Sequence, residues 1–156
     1  MSTQRQVDIS TLPLPQLNQL SQQLDQEIEF LTLSLNQLKV AQTKFSESQE
    51  CLSQVTKQNL DNDILVPLTG SMYVPGKLSN VEECLVDIGT GYYIEMTVDS
   101  SKKFFKRKVD YITKQIEKMQ PLLQDKYRMK QVVMELLQMK VQAQLAAQQA
   151  PSTVNS

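Results

Sequence analysis

The sequence predicts a mostly α-helical chain with a small β insert, in which a long antiparallel two-helix coiled coil is joined by two β-hairpins. Three observations carry this reading. Heptad repeats of apolar residues occupy both ends of the 156-residue chain, all four glycines fall between them, and the two heptad stretches are nearly equal in length. Composition agrees, since 21 glutamines, no tryptophan and only 6% aromatic residues suit long helices better than a compact core.

The first helix is expected to start near Leu14, where Pro13 and Pro15 occupy the one part of a helix that needs no amide donor. From there Leu17, Leu24, Leu31, Leu38, Phe45 and Leu52 recur every seventh residue and form the d positions of one register. The matching a positions are Leu14, Ser21, Ile28, Leu35, Gln42, Gln49 and Thr56, so the seam becomes more polar toward its C-terminal half. Polar a residues fix register at a cost in stability. The pattern ends at about Lys57.

Short runs rich in β-branched and aromatic residues follow: Ile64 to Leu68, Ser71 to Val74, Cys84 to Ile88 and Tyr92 to Thr97. Thr69-Gly70, Pro75-Gly76 and Gly89-Thr90-Gly91 separate them as turn signals, which predicts two β-hairpins within residues 64–97. In the last run Tyr92, Ile94 and Met96 face one way, and Tyr93, Glu95 and Thr97 the other.

Asp99, Ser100 or Ser101 offers a cap for the second helix, placed at 101–147. Phe105, Val109, Ile112, Ile116, Met119 and Leu123 alternate by four and three, and the register continues through Lys126 and Lys130 to Val133 and Leu137. Pro121 lies inside it and is expected to kink or interrupt the helix at a cost of roughly 3 kcal/mol. Residues 1–147 are read as a single subunit, with helix 14–57, hairpins 64–97 and helix 101–147. Residues 148–156 are read as a disordered tail.

Equal helix lengths, each on the order of 65 to 70 Å, suggest antiparallel pairing with Leu52 near Phe105, Phe45 near Ile112 and Leu38 near Met119. Isolated hairpins are marginal in water, and their free edges invite aggregation. The strands therefore need other chains to close a barrel or sandwich, and folding and assembly become one event. The far part of the second helix carries a further signal. Off its seam stand Leu122, Tyr127, Met129, Val132, Met134, Leu136, Met139 and Val141, whereas the stretch from Lys106 to Gln120 has only Tyr111. Packing against a third helix, or against a bend at Pro121, would use this surplus. So would a surface that receives unfolded apolar segments through adaptable thioethers.

Enzyme chemistry finds little to work with. The chain has no histidine and two cysteines, Cys51 and Cys84, which removes histidine general bases, Ser-His-Asp triads and nearly every zinc site. The glycine pairs sit where hairpins need turns, and no phosphate-cradling Gly-x-x-x-x-Gly-Lys motif is present. Glu82-Glu83 and Glu27-Glu29 read as solvated carboxylates, and both thiols read as reduced. No cofactor, metal or catalytic residue is expected. A net charge of -1 offers no general pull toward nucleic acid or membrane. The basic run of Lys102, Lys103, Lys106, Arg107 and Lys108 reads as a solvated face, with a nuclear import signal as the alternative. No apolar run approaches a membrane span, and residues 1–10 show no leader pattern.

Two heptad helices enclosing two hairpins resemble the α-class subunits of prefoldin, most specifically in the segments Met72 to Leu78 (MYVPGKL) and Asp87 to Tyr93 (DIGTGYY). Leu14 to Leu31, Gln37 to Phe45 and Phe104 to Pro121 also match, and the resemblance spans roughly Leu12 to Lys140. It implies a hexamer of two α-class and four β-class chains, with strands forming a double β-barrel and helix pairs projecting from it. It further implies capture of unfolded actin and tubulin at the helix tips and transfer to the cytosolic chaperonin without nucleotide hydrolysis. The compartment implied is the cytoplasm, with a nuclear pool left open. Leu17, Leu20, Met134, Leu136, Leu137 and Met139 are the client-binding candidates. Met72, Val74, Leu85, Val86, Ile88, Tyr92 and Ile94 are the subunit-interface candidates. A coiled-coil scaffold and a transcription-related interaction protein remain the alternatives.

Overall fold

The computed structural model describes residues 8–149, and the element order is helix, two hairpins, helix. Helix α1 spans Leu14–Gln54 and helix α2 spans Val98–Gln149; strands β1 (Asp63–Pro67), β2 (Tyr73–Lys77), β3 (Glu83–Gly89) and β4 (Tyr92–Thr97) lie between them. The chain divides into a terminal unit, built from the residues up to Asn36 and from Glu117 onward, and a central unit, Gln37–Ile116.

In the terminal unit the two helices run antiparallel. Leu17, Leu24 and Val133 form its core, with Ile9, Leu12, Leu20, Leu136 and Leu137 packed around them. Ile28 and Leu35 are also buried, so the a and d positions of this segment point inward as the heptads require. Two lysines occupy the α2 seam, and each has a carboxylate across it. Lys126 pairs with Glu27 at 2.5 Å, and Lys130 pairs with Asp25. Lys140 reaches across to donate to the Leu12 carbonyl at 2.6 Å, tying the chain just ahead of α1 to α2. That carbonyl ends a single 3-10 turn, Ile9–Thr11, whose first amides are capped by Asp8 through Ser10 N at 3.0 Å.

Helix α2 passes through Pro121 without interruption. Proline removes the donor that the Glu117 carbonyl would use, but both residues are exposed, so water can occupy that position. Half-buried Met119 and Leu123 hold the helix on either side.

In the central unit, Ile112 and Ile116 of α2 are buried, and Gln42 at an a position donates to Thr113 Oγ1 at 2.7 Å. This polar seam residue has a specific partner. Phe45 meets Phe105, with ring centroids 6.1 Å apart.

The strands pair as two separate antiparallel hairpins, β1 with β2 and β3 with β4. Pro75-Gly76 is not a turn. Pro75 stands opposite Leu65 and Gly76 opposite Ile64 within the ladder, while the chain reverses between Pro67 and Tyr73. Proline tolerates an edge strand, where its missing donor costs no ladder bond. A Cβ at Gly76 would lie 3.4 Å from the Val66 side chain, so glycine gives that face its close approach. The β3–β4 reversal uses Gly89 and Gly91 at φ of 103° and 80°, the left-handed region that glycine enters without strain. The α2 cap is Thr97, not the serines or aspartate after it. Its Oγ1 accepts from Ser100 N at 3.2 Å, and Asp99 then lies in the first turn, where the helix dipole favours it. Ser101 is buried. It donates to the Thr97 carbonyl at 2.9 Å, so at 3.1 Å it accepts from the Cys84 thiol, which fixes β3 to α2.

Leu17 is 0% exposed and central to the terminal core. Leu17→Ala should lower stability by about 3 kcal/mol, read as a fall in the thermal midpoint of the 222 nm helix signal. An unchanged midpoint would contradict this packing.

Candidate functional site

Two groups of residues in this fold have no internal use for their chemistry: the hairpins of the central unit and the apolar residues of α2 in the terminal unit. Each hairpin has two strands and therefore two unpaired edges. Register sets the faces. Val66 stands opposite Val74, Leu65 opposite Pro75, Val86 opposite Ile94 and Leu85 opposite Glu95. Leu65 is 69% exposed, Leu85 70% and Tyr92 69%, and Met72, Tyr73, Val74, Ile88, Tyr93 and Ile94 are exposed as well. Apolar side chains thus stand on both faces of strands whose backbone groups are free at the edges.

Six of the seven residues expected at a subunit interface are exposed: Met72, Val74, Leu85, Ile88, Tyr92 and Ile94. Val86 is not. At 4% exposed it already belongs to the central unit's own interior, because its place opposite Ile94 puts it on the face that half-buried Cys84 and Met96 share. Beside β3 opens an apolar groove of about 950 Å³, whose walls include Phe45, Leu52, Leu85, Phe104 and Phe105 together with both thiols. Cys51 is exposed there, and the Cys84 thiol is spent on Ser101.

The client candidates separate in the same way. Met134 and Met139 are exposed, the latter at 58%. Leu20, Leu136 and Leu137 are half-buried against the terminal core, and Leu17 lies wholly inside it with no surface to offer a client. A d position that closes the seam does not also face outward. Exposed company for the two methionines comes from Leu122, Met129, Val132, Val141 and Leu145 on α2. On α1, Phe30 and Leu33 were not anticipated. Their signal was available, since both are large apolar residues off the heptad register. Phe30 and Leu122 line one groove of about 460 Å³.

Among the described residues, no cluster of cysteine and carboxylate side chains is placed to hold a metal ion, and no helix is long and apolar enough to cross a membrane.

The profile of the family described as "Prefoldin subunit" matches residues 24–143. The chain belongs to the prefoldin subunit family. Prefoldin subunit 5 of Mus musculus is 54% identical over 150 residues, covering 96% of this chain and 97% of its own. The Homo sapiens protein of that name is 53% identical over the same span, with the same coverage. The probable prefoldin subunit 5 of Drosophila melanogaster is 41% identical over 145 residues, covering 92% and 86%. Among solved structures, the cryo-EM structure of filamentous prefoldin from Methanocaldococcus jannaschii aligns at a TM-score of 0.63 with 14% identity. It covers 74% of this chain and 95% of that one, a likeness of fold. Prefoldin-type architecture therefore accounts for the helix, hairpin, hairpin, helix order.

Within that architecture the Glu27–Lys126 pair gives the terminal unit a pH dependence. The Lys126 ammonium, and then the Gln23 amide, hold the Glu27 carboxyl below the ordinary value of 4.5. A carboxylate stabilised in this way favours the folded state above about pH 4.5, and its contribution fades as pH falls through the lowered folded value. Glu27→Gln should therefore lower the unfolding midpoint at about pH 7, and the gap to the parent should shrink as pH falls below the ordinary carboxylate value and through the lowered one. A gap that persists in acid would rule out the ion pair as its source.

Proposed function

We propose that this chain is one α-class subunit of a hexameric, ATP-independent chaperone that captures unfolded polypeptides and passes them to a chaperonin. One observation carries the client role. The terminal core is already closed by Leu17, Leu24 and Val133, yet α2 still exposes Met129, Val132, Met134, Met139, Val141 and Leu145 beside it. A folded seam needs none of these outside it, and scattered thioethers adapt to clients of different shape.

Assembly follows from the hairpins. Strands with free edges and uncovered apolar faces gain most by joining other chains, and in this reading two α-class and four β-class subunits complete a double β-barrel. Met72, Val74, Leu85, Ile88, Tyr92 and Ile94 form the contacts, and Val86 supports them from inside. Capture uses apolar burial alone and needs no nucleotide, and release follows when the chaperonin offers the client a larger apolar surface. Actin and tubulin are the proposed clients, and the cytoplasm the proposed compartment.

The test is to co-express the chain with β-class partners and measure mass and client protection. The complex should weigh about six chain masses, and without ATP it should suppress light scattering by actin diluted from denaturant. Met134→Ser with Met139→Ser should leave assembly intact and weaken protection by roughly tenfold or more, since even partial burial of two thioethers is worth above about 1.4 kcal/mol. Leu136 and Leu137 are unsuitable for this purpose because they brace the core. Full protection by the double variant would remove the client role from this surface, and protection of one folded partner only would mark a scaffold instead.

A further inference from the structure

Within the basic run at the start of α2, Lys108 lies over the Phe104 ring at 5.5 Å, and the cations of the outer face are left to solvent. Phe105, Val109, Ile112 and Ile116 turn inward, and Lys103, Arg107, Asp110 and Lys114, spaced by four, three and four, lie on the opposite face. All four are exposed, as is Lys106 beside them. Among the described residues, Lys103, Lys106, Arg107 and Lys114 have no carboxylate within ion-pair distance; the pairs that do form involve Lys57, Lys77, Lys126, Arg128 and Lys130. Lys103 and Arg107 are like charges one turn apart, as are Lys102 and Lys106, an arrangement that weakens a helix slightly. The run is held in the fold at two points, with Phe105 against Phe45 and Ser101 buried.

We propose that Lys103, Arg107 and Lys114 form a docking stripe for an extended acidic peptide segment of a partner protein. Spacing selects the occupant. At about 1.5 Å per helical residue, Arg107 lies about 6 Å and Lys114 about 16 Å along the axis from Lys103. An extended peptide rises about 3.3 Å per residue with alternate side chains on one face, so carboxylates at its positions i, i+2 and i+4 face the three cations, the long Lys114 side chain spanning the remaining distance of about 3 Å. Asp110 falls between the second and third cations, opposite peptide position i+3. A peptide carries no charge there and can donate a backbone amide to the carboxylate. A nucleic acid brings charge at every nucleotide and meets Asp110 unfavourably, and the chain's net charge of -1 adds no compensating attraction. Tyr111, 62% exposed, borders the stripe and offers an apolar contact beside the charges. This surface is separate from the client residues of α2 and does not depend on them.

The experiment is fluorescence anisotropy at low ionic strength with the assembled complex. The probe is a fluorescein-labelled peptide Gly-Glu-Tyr-Glu-Gly-Glu-Tyr-Gly, with a duplex DNA of matched charge as competitor. Binding should weaken steeply with salt, and the triple variant Lys103→Gln, Arg107→Gln, Lys114→Gln should bind about tenfold more weakly, as expected for three exposed ion pairs. The mass of the complex and its protection of denatured actin should stay unchanged, which separates this surface from the client site. Equal binding by the triple variant would overturn the proposal. So would displacement of the peptide by DNA at lower concentration than by unlabelled peptide, which would make the stripe a nucleic-acid site.

Discussion

Unpaired backbone is the constraint on which the rest of this molecule depends. Each strand of the two hairpins satisfies its hydrogen-bonding groups on one side only, and the sheets do not pair with each other. Side chains make the same demand. Leu65, Leu85 and Tyr92 are large, apolar and uncovered, and no element of the central unit is placed to cover them. A monomer with these features is an aggregation hazard, and charged edges or bulges are the usual protection. Here the bulge between Asp87 and Gly89 is the single register irregularity, and lysine appears only at the end of β2. The hairpins are therefore left open to pairing with other chains.

The helices solve a different problem. A two-helix seam is narrow, so its stability rests on a few buried residues and on how its polar positions are paired. Leu17, Leu24 and Val133 supply the first, and Glu27–Lys126, Asp25–Lys130 and Gln42–Thr113 supply the second. These polar contacts set the register of each helix pair, which leucine alone leaves loosely defined. Outside the seam the two units use different surface chemistry. No glutamine occurs between Gln58 and Gln115, whereas α1 and the later part of α2 carry many. Uncharged amides stand beside the exposed methionines of the terminal unit, and exposed cations stand on the α2 segment of the central unit.

Much of this was legible in the residues. The heptads located both helices because a seven-residue apolar repeat over many turns has few other structural meanings. The β3–β4 reversal at Gly89-Thr90-Gly91 was equally clear. What escaped was decided by context. Pro75-Gly76 reads as a turn by composition, but an edge strand accommodates both residues, and β2 runs on to Lys77 for that reason. Thr97 rather than Asp99, Ser100 or Ser101 caps α2, because a cap depends on the φ/ψ at which the chain leaves β4, which residue type alone does not specify. The candidate site was legible in outline only. A leucine at a d position looks the same in sequence whether it closes a seam or faces outward, so Leu17 was grouped with Met139, and only burial separates them. Lys126 and Lys130 looked like flaws in the repeat until their carboxylate partners appeared on α1.

Hydrogen exchange of the hairpin amides, followed by mass spectrometry on the lone chain and on its complex with partner subunits, tests the dependence on other chains most directly. Amides of residues 63–97 should exchange nearly freely in the lone chain and become protected by about two orders of magnitude or more in the complex, while the terminal core around Leu17 and Val133 is protected in both. Equal, strong protection of residues 63–97 in a monodisperse lone chain would contradict the account.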